Sequence, residues 1–170
     1  MPIKIERITS DGWERLRAVR LRALADTPDA FGMTLAEDEA RLPEDWQMEC
    51  EDDVAAMFFA VCQRSDVGFV VGDCYSEFDR YTHEERVAGL FWMWVAPEAR
   101  GRGTGGALIE AVIGWARQNR YRRISLDVGN ENAPAIQLYK SKGFLPTGNT
   151  SSLPPPREHI HEHERVLALE

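Results

Sequence analysis

The sequence predicts a mixed α/β domain, built on a mostly antiparallel twisted sheet with one parallel strand pair, and three observations carry that prediction. Apolar runs of strand length recur along the chain and alternate with stretches of helical periodicity. Two of those runs, residues 87–95 and 123–128, flank a single amphipathic helix, so a parallel βαβ crossover is the economical connection between them. The other strands are joined so as to pair antiparallel. About six to seven strands and about four helices result, which 170 residues of 44% hydrophobic composition can fold as one domain over residues 1–170.

In order, Ile3, Ile5 and Ile8 around Lys4, Glu6 and Arg7 predict an opening strand, closed by Thr9-Ser10-Asp11-Gly12. Trp13, Leu16, Val19, Ala23 and Leu24 form the apolar stripe of a first helix that Asp26-Thr27-Pro28 stops, with Glu14, Arg15, Arg17 and Arg22 largely outside the stripe. After the loop Phe31-Gly32-Met33, residues 35–46 predict a second, more polar helix. Glu49, Glu51, Asp52 and Asp53 read as a solvated connection. Residues 55–62 read as a buried strand, residues 68–75 as its hairpin partner across Gln63-Arg64-Ser65-Asp66, and residues 78–85 as a polar loop. The fourth strand, residues 87–95, leads through a glycine turn into the third helix, which extends to residue 119 with Arg117 and Arg120 near its C-terminal end. A fifth strand precedes a helix that Asn132 can cap, with Pro134 in its first turn and Gly143 just past its end. Residues 148–156 are too proline-rich for regular structure and read as a constrained surface loop, before the alternating Arg165-Val166-Leu167-Ala168-Leu169 of a final strand.

Chemistry concentrates at the turn Arg100-Gly101-Arg102-Gly103-Thr104-Gly105-Gly106. Glycines there free the backbone to turn and let a ligand approach the main chain, while the unpaired N–H groups of the helix's first turn face it. Arg100 and Arg102 add positive charge beside the positive helix end, so a phosphate or diphosphate is the natural guest. A nucleotide P-loop is excluded, because no Lys followed by Ser or Thr stands where phosphates would need it. Gly101, Gly103 and Gly106 do match the dinucleotide pattern G-x-G-x-x-G, with Asp127 on the next strand. Against a nicotinamide-binding protein, five residues separate Val95 from Gly101, and too little chain follows for a doubly wound sheet.

Arg100-x-x-Gly103-x-Gly105, preceded by Val95-x-Pro97-Glu98, resembles the Q/R-x-x-G-x-G/A signature of the GNAT superfamily of N-acetyltransferases. Asn132-x-x-Ala135-x-x-Leu138-Tyr139-x-x-x-Gly143-Phe144 resembles that family's following helix, so both segments stand in the family's order. The resemblance implies acetyl transfer from acetyl-CoA to a primary amine, a small molecule or a peptide N-terminus, by direct attack with both substrates bound. It implies a diphosphate on the backbone of Arg100, Gly101, Arg102, Gly103, Thr104 and Gly105, a pantetheine arm along Met93, Trp94 and Val95 where the parallel strands splay, and a CoA contact at Asn132. Trp94 or its neighbours would wall the acetyl pocket. Tyr139 is implied both to contact the cofactor and to protonate the departing thiolate, and Asp127 matches a position where relatives place the carboxylate that accepts the amine's proton; Glu84 or Glu85 is the alternative base. A catalytically idle acyl-CoA sensor is the alternative from another class. The acceptor would be framed by residues 28–36 and 149–156, and a homodimer is compatible with the resemblance.

A formal charge of −8 argues against a duplex nucleic acid partner and suits an amine-bearing acceptor. Cys50, Cys62 and Cys74 are odd in number, widely spaced and form no C-x-x-C pair, which predicts neither a disulfide framework nor a zinc site and fits the cytoplasm. The longest apolar run falls well below the roughly 20 residues that span a bilayer, so no membrane partner is expected. His159, His161 and His163 alternate, but Glu158, Glu162 and Glu164 interleave with them and no metal is predicted.

Overall fold

The computed structural model describes residues 2–74 and 80–170. The predicted strand end at Tyr75 and the start of the predicted polar loop at Phe78 lie outside the described residues. β1 (Lys4–Ile8), β2 (Ala56–Cys62), β3 (Ser65–Cys74), β4 (Val87–Val95), β5 (Arg123–Gly129), β6 (Leu145–Ser152) and β7 (His161–Ala168) form one sheet in the order β1-β2-β3-β4-β5-β7-β6. Every neighbouring pair is antiparallel except β4 and β5, as a helical crossover demands. α1 (Trp13–Asp26), α2 (Leu35–Glu39) and α3 (Pro43–Cys50) precede β2, and α4 (Thr104–Gln118) and α5 (Ala133–Ser141) flank β5 in sequence.

The helices divide between the two faces of the sheet. α4 lies directly against β3, where a Cβ on Gly72 would come within 2.7 Å of the Trp115 ring. α5 shares that face, since a Cβ on Gly105 would meet Leu138 at 2.7 Å. On the opposite face α1 meets β4, the indole N–H of Trp94 donating to Asp26 at 2.9 Å.

Several elements depart from the sequence expectation for identifiable reasons. Residues 35–46 form parts of two helices because Pro43 cannot continue α2 and holds the preceding Leu42 extended (φ −77°, ψ 157°). Glu49 is not part of a solvated connection; it belongs to α3 and pairs with Arg20 at 2.5 Å and Arg41 at 2.7 Å. Arg20 itself is buried, bonded to Asp38, and stacked between Trp46 and Trp92. The β2–β3 hairpin closes on Gln63 and Arg64 alone, both with positive φ, so β3 begins at Ser65. Residues 148–152 are strand rather than loop. Pro146 is tolerated because β6 is the last strand of the sheet, where a missing N–H costs no ladder bond, and the register shift before Thr150 accommodates Gly148 at φ +93°.

Candidate active site

β4 and β5 pair only over Val87↔Arg123, Ala88↔Ile124 and Gly89↔Ser125, and then diverge. Beyond Gly89 the β5-facing edge of β4 has no strand partner among the described residues, which leaves main-chain donors and acceptors for a ligand to pair with. A bulge deepens the divergence: Phe69 pairs with Trp94 and Val71 with Phe91, so a single residue of β3 opposes both Trp92 and Met93. Trp92 takes φ +55°, a costly conformation for a bulky residue. It is held by packing: its ring stacks on Phe31 at 4.9 Å and on Phe69 at 6.1 Å, and the Arg20 guanidinium lies 3.8 Å above it.

The splay opens toward the turn that starts α4. Gly101 and Gly103 both have positive φ (70° and 81°), and a Cβ on either would meet nothing within 4 Å among the described residues. The turn is therefore a bare cradle in front of the helix's unpaired first-turn amides. Thr104 is buried and donates to the Ala99 carbonyl at 2.9 Å, tying the start of α4 to the short 3-10 turn (Pro97–Ala99) that follows β4. Gly105 has a different reason to be glycine, because Leu138 and Met93 crowd it. The Arg100 side chain turns away from the cradle: it donates to the Val95 carbonyl and pairs with Asp26. Its charge is thereby matched by Asp26. Arg102 is exposed at the turn.

Tyr139 comes from α5 and Asn132 from the cap position just before it. Asn132 accepts a hydrogen bond from the Ala135 amide as the helix cap, and Gly143 (φ +92°) ends the helix. Tyr139 is 6% exposed, edge-on to Phe144, and burial pushes its phenol up from the ordinary tyrosine value. It shares its face of the sheet with the buried Ile124, Leu126 and Val128.

The alternate residues of β5 point the other way, where Asp127 stands directly across from Glu164 of β7. Asp127 is half-buried and pairs with Arg80 at 3.0 Å. Glu164 is fully buried and accepts from Tyr81 (2.6 Å), Ser125 (2.5 Å), Thr147 (2.6 Å) and Asn149 (2.7 Å), with Arg80 at 3.2 Å. Burial alone would raise it, but those donors outweigh burial and hold it down at about 2. Glu162, two residues along β7 on the same face, is raised by burial and by the charge of Asp127, with Arg80 and Arg157 opposing. Arg157, in the β6–β7 connection, donates to the carbonyls of Pro28, Phe31 and Gly32 at 2.5, 2.8 and 3.0 Å and so fastens the α1–α2 connection beside this face.

Glu84 and Glu85 lie at the opposite, paired end of β4, where Glu85 caps its own turn and pairs with Arg123, so neither reaches the splay. His161 and His163 are engaged by Ser152 and Asn130. Arg80 and Arg157 go unmarked in the sequence, where Glu162 and Glu164 figure only as acids interleaved with the histidines. The only local signal was the i, i+2 placement of Glu162 and Glu164 opposite a Thr/Ser/Asn-rich strand.

The family model for the acetyltransferase (GNAT) family matches residues 21–144. The chain belongs to this family. An uncharacterized N-acetyltransferase of Methanocaldococcus jannaschii is 36% identical over 99 residues, 58% of this chain and 42% of that protein. A mycothiol acetyltransferase of Acidothermus cellulolyticus is 32% identical over 142 residues, 79% of this chain and 41% of that one. The GNAT chain thus spans about two fifths of the length of these curated relatives. Among solved structures, the Salmonella typhimurium acetyltransferase yncA, with its cofactor acetyl-CoA, superposes with TM-score 0.80 at 16% identity, covering 100% of this chain and 95% of that one. A ribosomal-protein-alanine N-acetyltransferase of Brucella melitensis gives TM-score 0.77 at 23% identity over 98% and 99% of the two chains. At such identities these likenesses establish the fold. Among the described residues no helix is long and apolar enough to cross a membrane.

Proposed function

We propose that this GNAT chain transfers an acetyl group from acetyl-CoA to a primary amine while both substrates are bound. The observation that carries the reading is the splay of β4 from β5 opening onto the bare Gly101–Gly103 cradle. Acetyl-CoA fits that geometry. Its diphosphate is matched by the amides of residues 100–105, its pantetheine by the edge of Met93, Trp94 and Val95 that β5 leaves uncovered, where Arg100 already holds the Val95 carbonyl, and its acetyl group by the floor of the splay. Asn132 and Tyr139 reach it from α5. Trp94 is turned to α1 by Asp26, so its part in walling the pocket is through the main chain.

The two faces of β5 divide the labour. Tyr139, on the α4–α5 face, keeps its phenol protonated across the neutral range because burial raises it, and it delivers that proton to the leaving sulfur. The acceptor amine approaches from the carboxylate face, where the α1–α2 and β6–β7 connections meet. Backbone N–H groups bared by the divergence receive the charge that develops on the carbonyl oxygen. Asp127, paired with Arg80, supplies fixed negative charge on the amine's side.

Two measurements test the reading. Acetyl-CoA at a hundredfold excess over its Kd should stabilise the fold by about 2.7 kcal/mol, raising Tm by roughly 5–10 °C, and NAD should not. Free thiol should appear when a panel of primary amines is added. Stabilisation without any thiol release would make the chain an acyl-CoA sensor, and stabilisation by NAD alone would return the nicotinamide reading.

A further inference from the structure

Three carboxylates share the amine's side of the sheet, and they differ in what already holds them. Glu164 accepts from four uncharged donors, lies against Arg80, and has no exposed surface. Asp127 is paired with Arg80 through both carboxylate oxygens, at 3.0 and 3.3 Å from one guanidinium nitrogen. Glu162 makes no ion pair or side-chain hydrogen bond among the described residues, yet it is only partly exposed. Its Cα stands opposite Gly129, the last residue of β5, two positions past Asp127 toward the open end of the splay. Diagonal neighbours of this kind lie roughly 7–8 Å apart, within reach of a glutamate side chain. The charged groups facing it are Asp127 from β5, Arg80 ahead of β4 and Arg157 from the β6–β7 connection, with Glu164 on its own strand.

We propose that Glu162 is the carboxylate that meets the acceptor's ammonium group and takes the proton that must leave before nitrogen can attack. The inference rests on the acetyl-transfer reading above. The ammonium gives one proton to the Glu162 carboxylate, which later passes it to solvent. The nitrogen lone pair forms the N–C bond to the acetyl carbonyl carbon, the C–S bond breaks, and its electron pair leaves on sulfur. Tyr139 protonates that sulfur, and the second proton lost from nitrogen as the amide forms restores the phenol. One proton per turnover reaches solvent. The acceptor is accordingly an amine that arrives as a cation, and an uncharged amine would gain nothing from Glu162.

The test is the pH profile of kcat/KM, read as thiol release with an aliphatic diamine, an amino sugar and an alanyl dipeptide, alongside the Tm shift given by acetyl-CoA. The wild type should show an acid limb on which activity rises with pH, as a raised carboxylate loses its proton. Glu162→Gln should abolish that limb and lower kcat/KM about 100-fold at neutral pH, with activity returning as pH nears the amine's own pKa and the acetyl-CoA Tm shift unchanged. Glu162→Asp should restore part of the loss. Asp127→Asn should keep the limb but move it to lower pH, because a like charge beside Glu162 has gone and Arg80 is released. Retention of kcat/KM within about twofold in Glu162→Gln, or loss of the limb in Asp127→Asn alone, would overturn the proposal. Failure of the wild type to release thiol with every amine would instead overturn the transfer reading, and this one with it.

Discussion

A phenol that protonates a departing thiolate has to hold its proton until the C–S bond breaks. Tyr139 meets that condition through burial, which destabilises the phenolate more than the phenol. Tyr139→Phe keeps the ring's packing on Phe144 and removes only the proton, so kcat for thiol release should fall by about 100-fold while the acetyl-CoA Tm shift persists. Equal turnover in the variant would remove Tyr139 from the acid role. Tyr139 was legible as a position, because it sits in a local helical motif. Arg100 was legible as a position but not as a contact, because its partners, the Val95 carbonyl and Asp26, are set by how α1 packs on β4. Arg20 was missed for the same reason: its burial depends on Asp38, Glu49, Trp46 and Trp92, none of them near it in sequence.

Two elements of the site can be tested as elements. In the turn before α4, Gly103 combines φ +81° with open space where a Cβ would project. Gly103→Val would fill that space and strain the turn, so the acetyl-CoA Tm shift should disappear; a folded variant with an undiminished shift would refute the cradle. The α1–α2 connection carries Phe31 onto Trp92 and is fastened by three hydrogen bonds from Arg157. Arg157→Ala should release it, raising the KM for the amine about tenfold or more with little change in acetyl-CoA binding, since the three bonds end on carbonyls of residues 28–32 and none on the turn before α4. An unaltered amine KM would show that the fastening is incidental. The turn could be read from composition because glycine spacing encodes backbone freedom. The fastening could not, because Arg157 and Phe31 are 126 positions apart.

At the scale of the whole molecule, Glu164 joins β5, β6, β7 and the segment ahead of β4 through one carboxylate. Its folded pKa of about 2 lies below the ordinary 4.5, so its stabilisation is fully present above pH 4.5 and is lost as pH falls toward 2. That contribution is on the order of 3 kcal/mol. Thermal melts should show wild-type Tm declining over this window, and Glu164→Gln should start lower and decline less steeply; parallel curves would show that Glu164 titrates normally. The sequence by itself determined most of the succession of strands and helices, the parallel crossover, the glycine turn and the family, because periodicity, glycine spacing and helix caps are local and survive without a fold. It misjudged residues 148–152, whose pairing as an edge strand depends on β7 rather than on their own composition. Only the tertiary structure decided which carboxylates gather beside the splay, which arginines hold them, and how far β4 departs from β5. Those are properties of charges and main-chain groups brought together from distant parts of the chain, and their energies depend on separation and burial, which residue order alone does not specify.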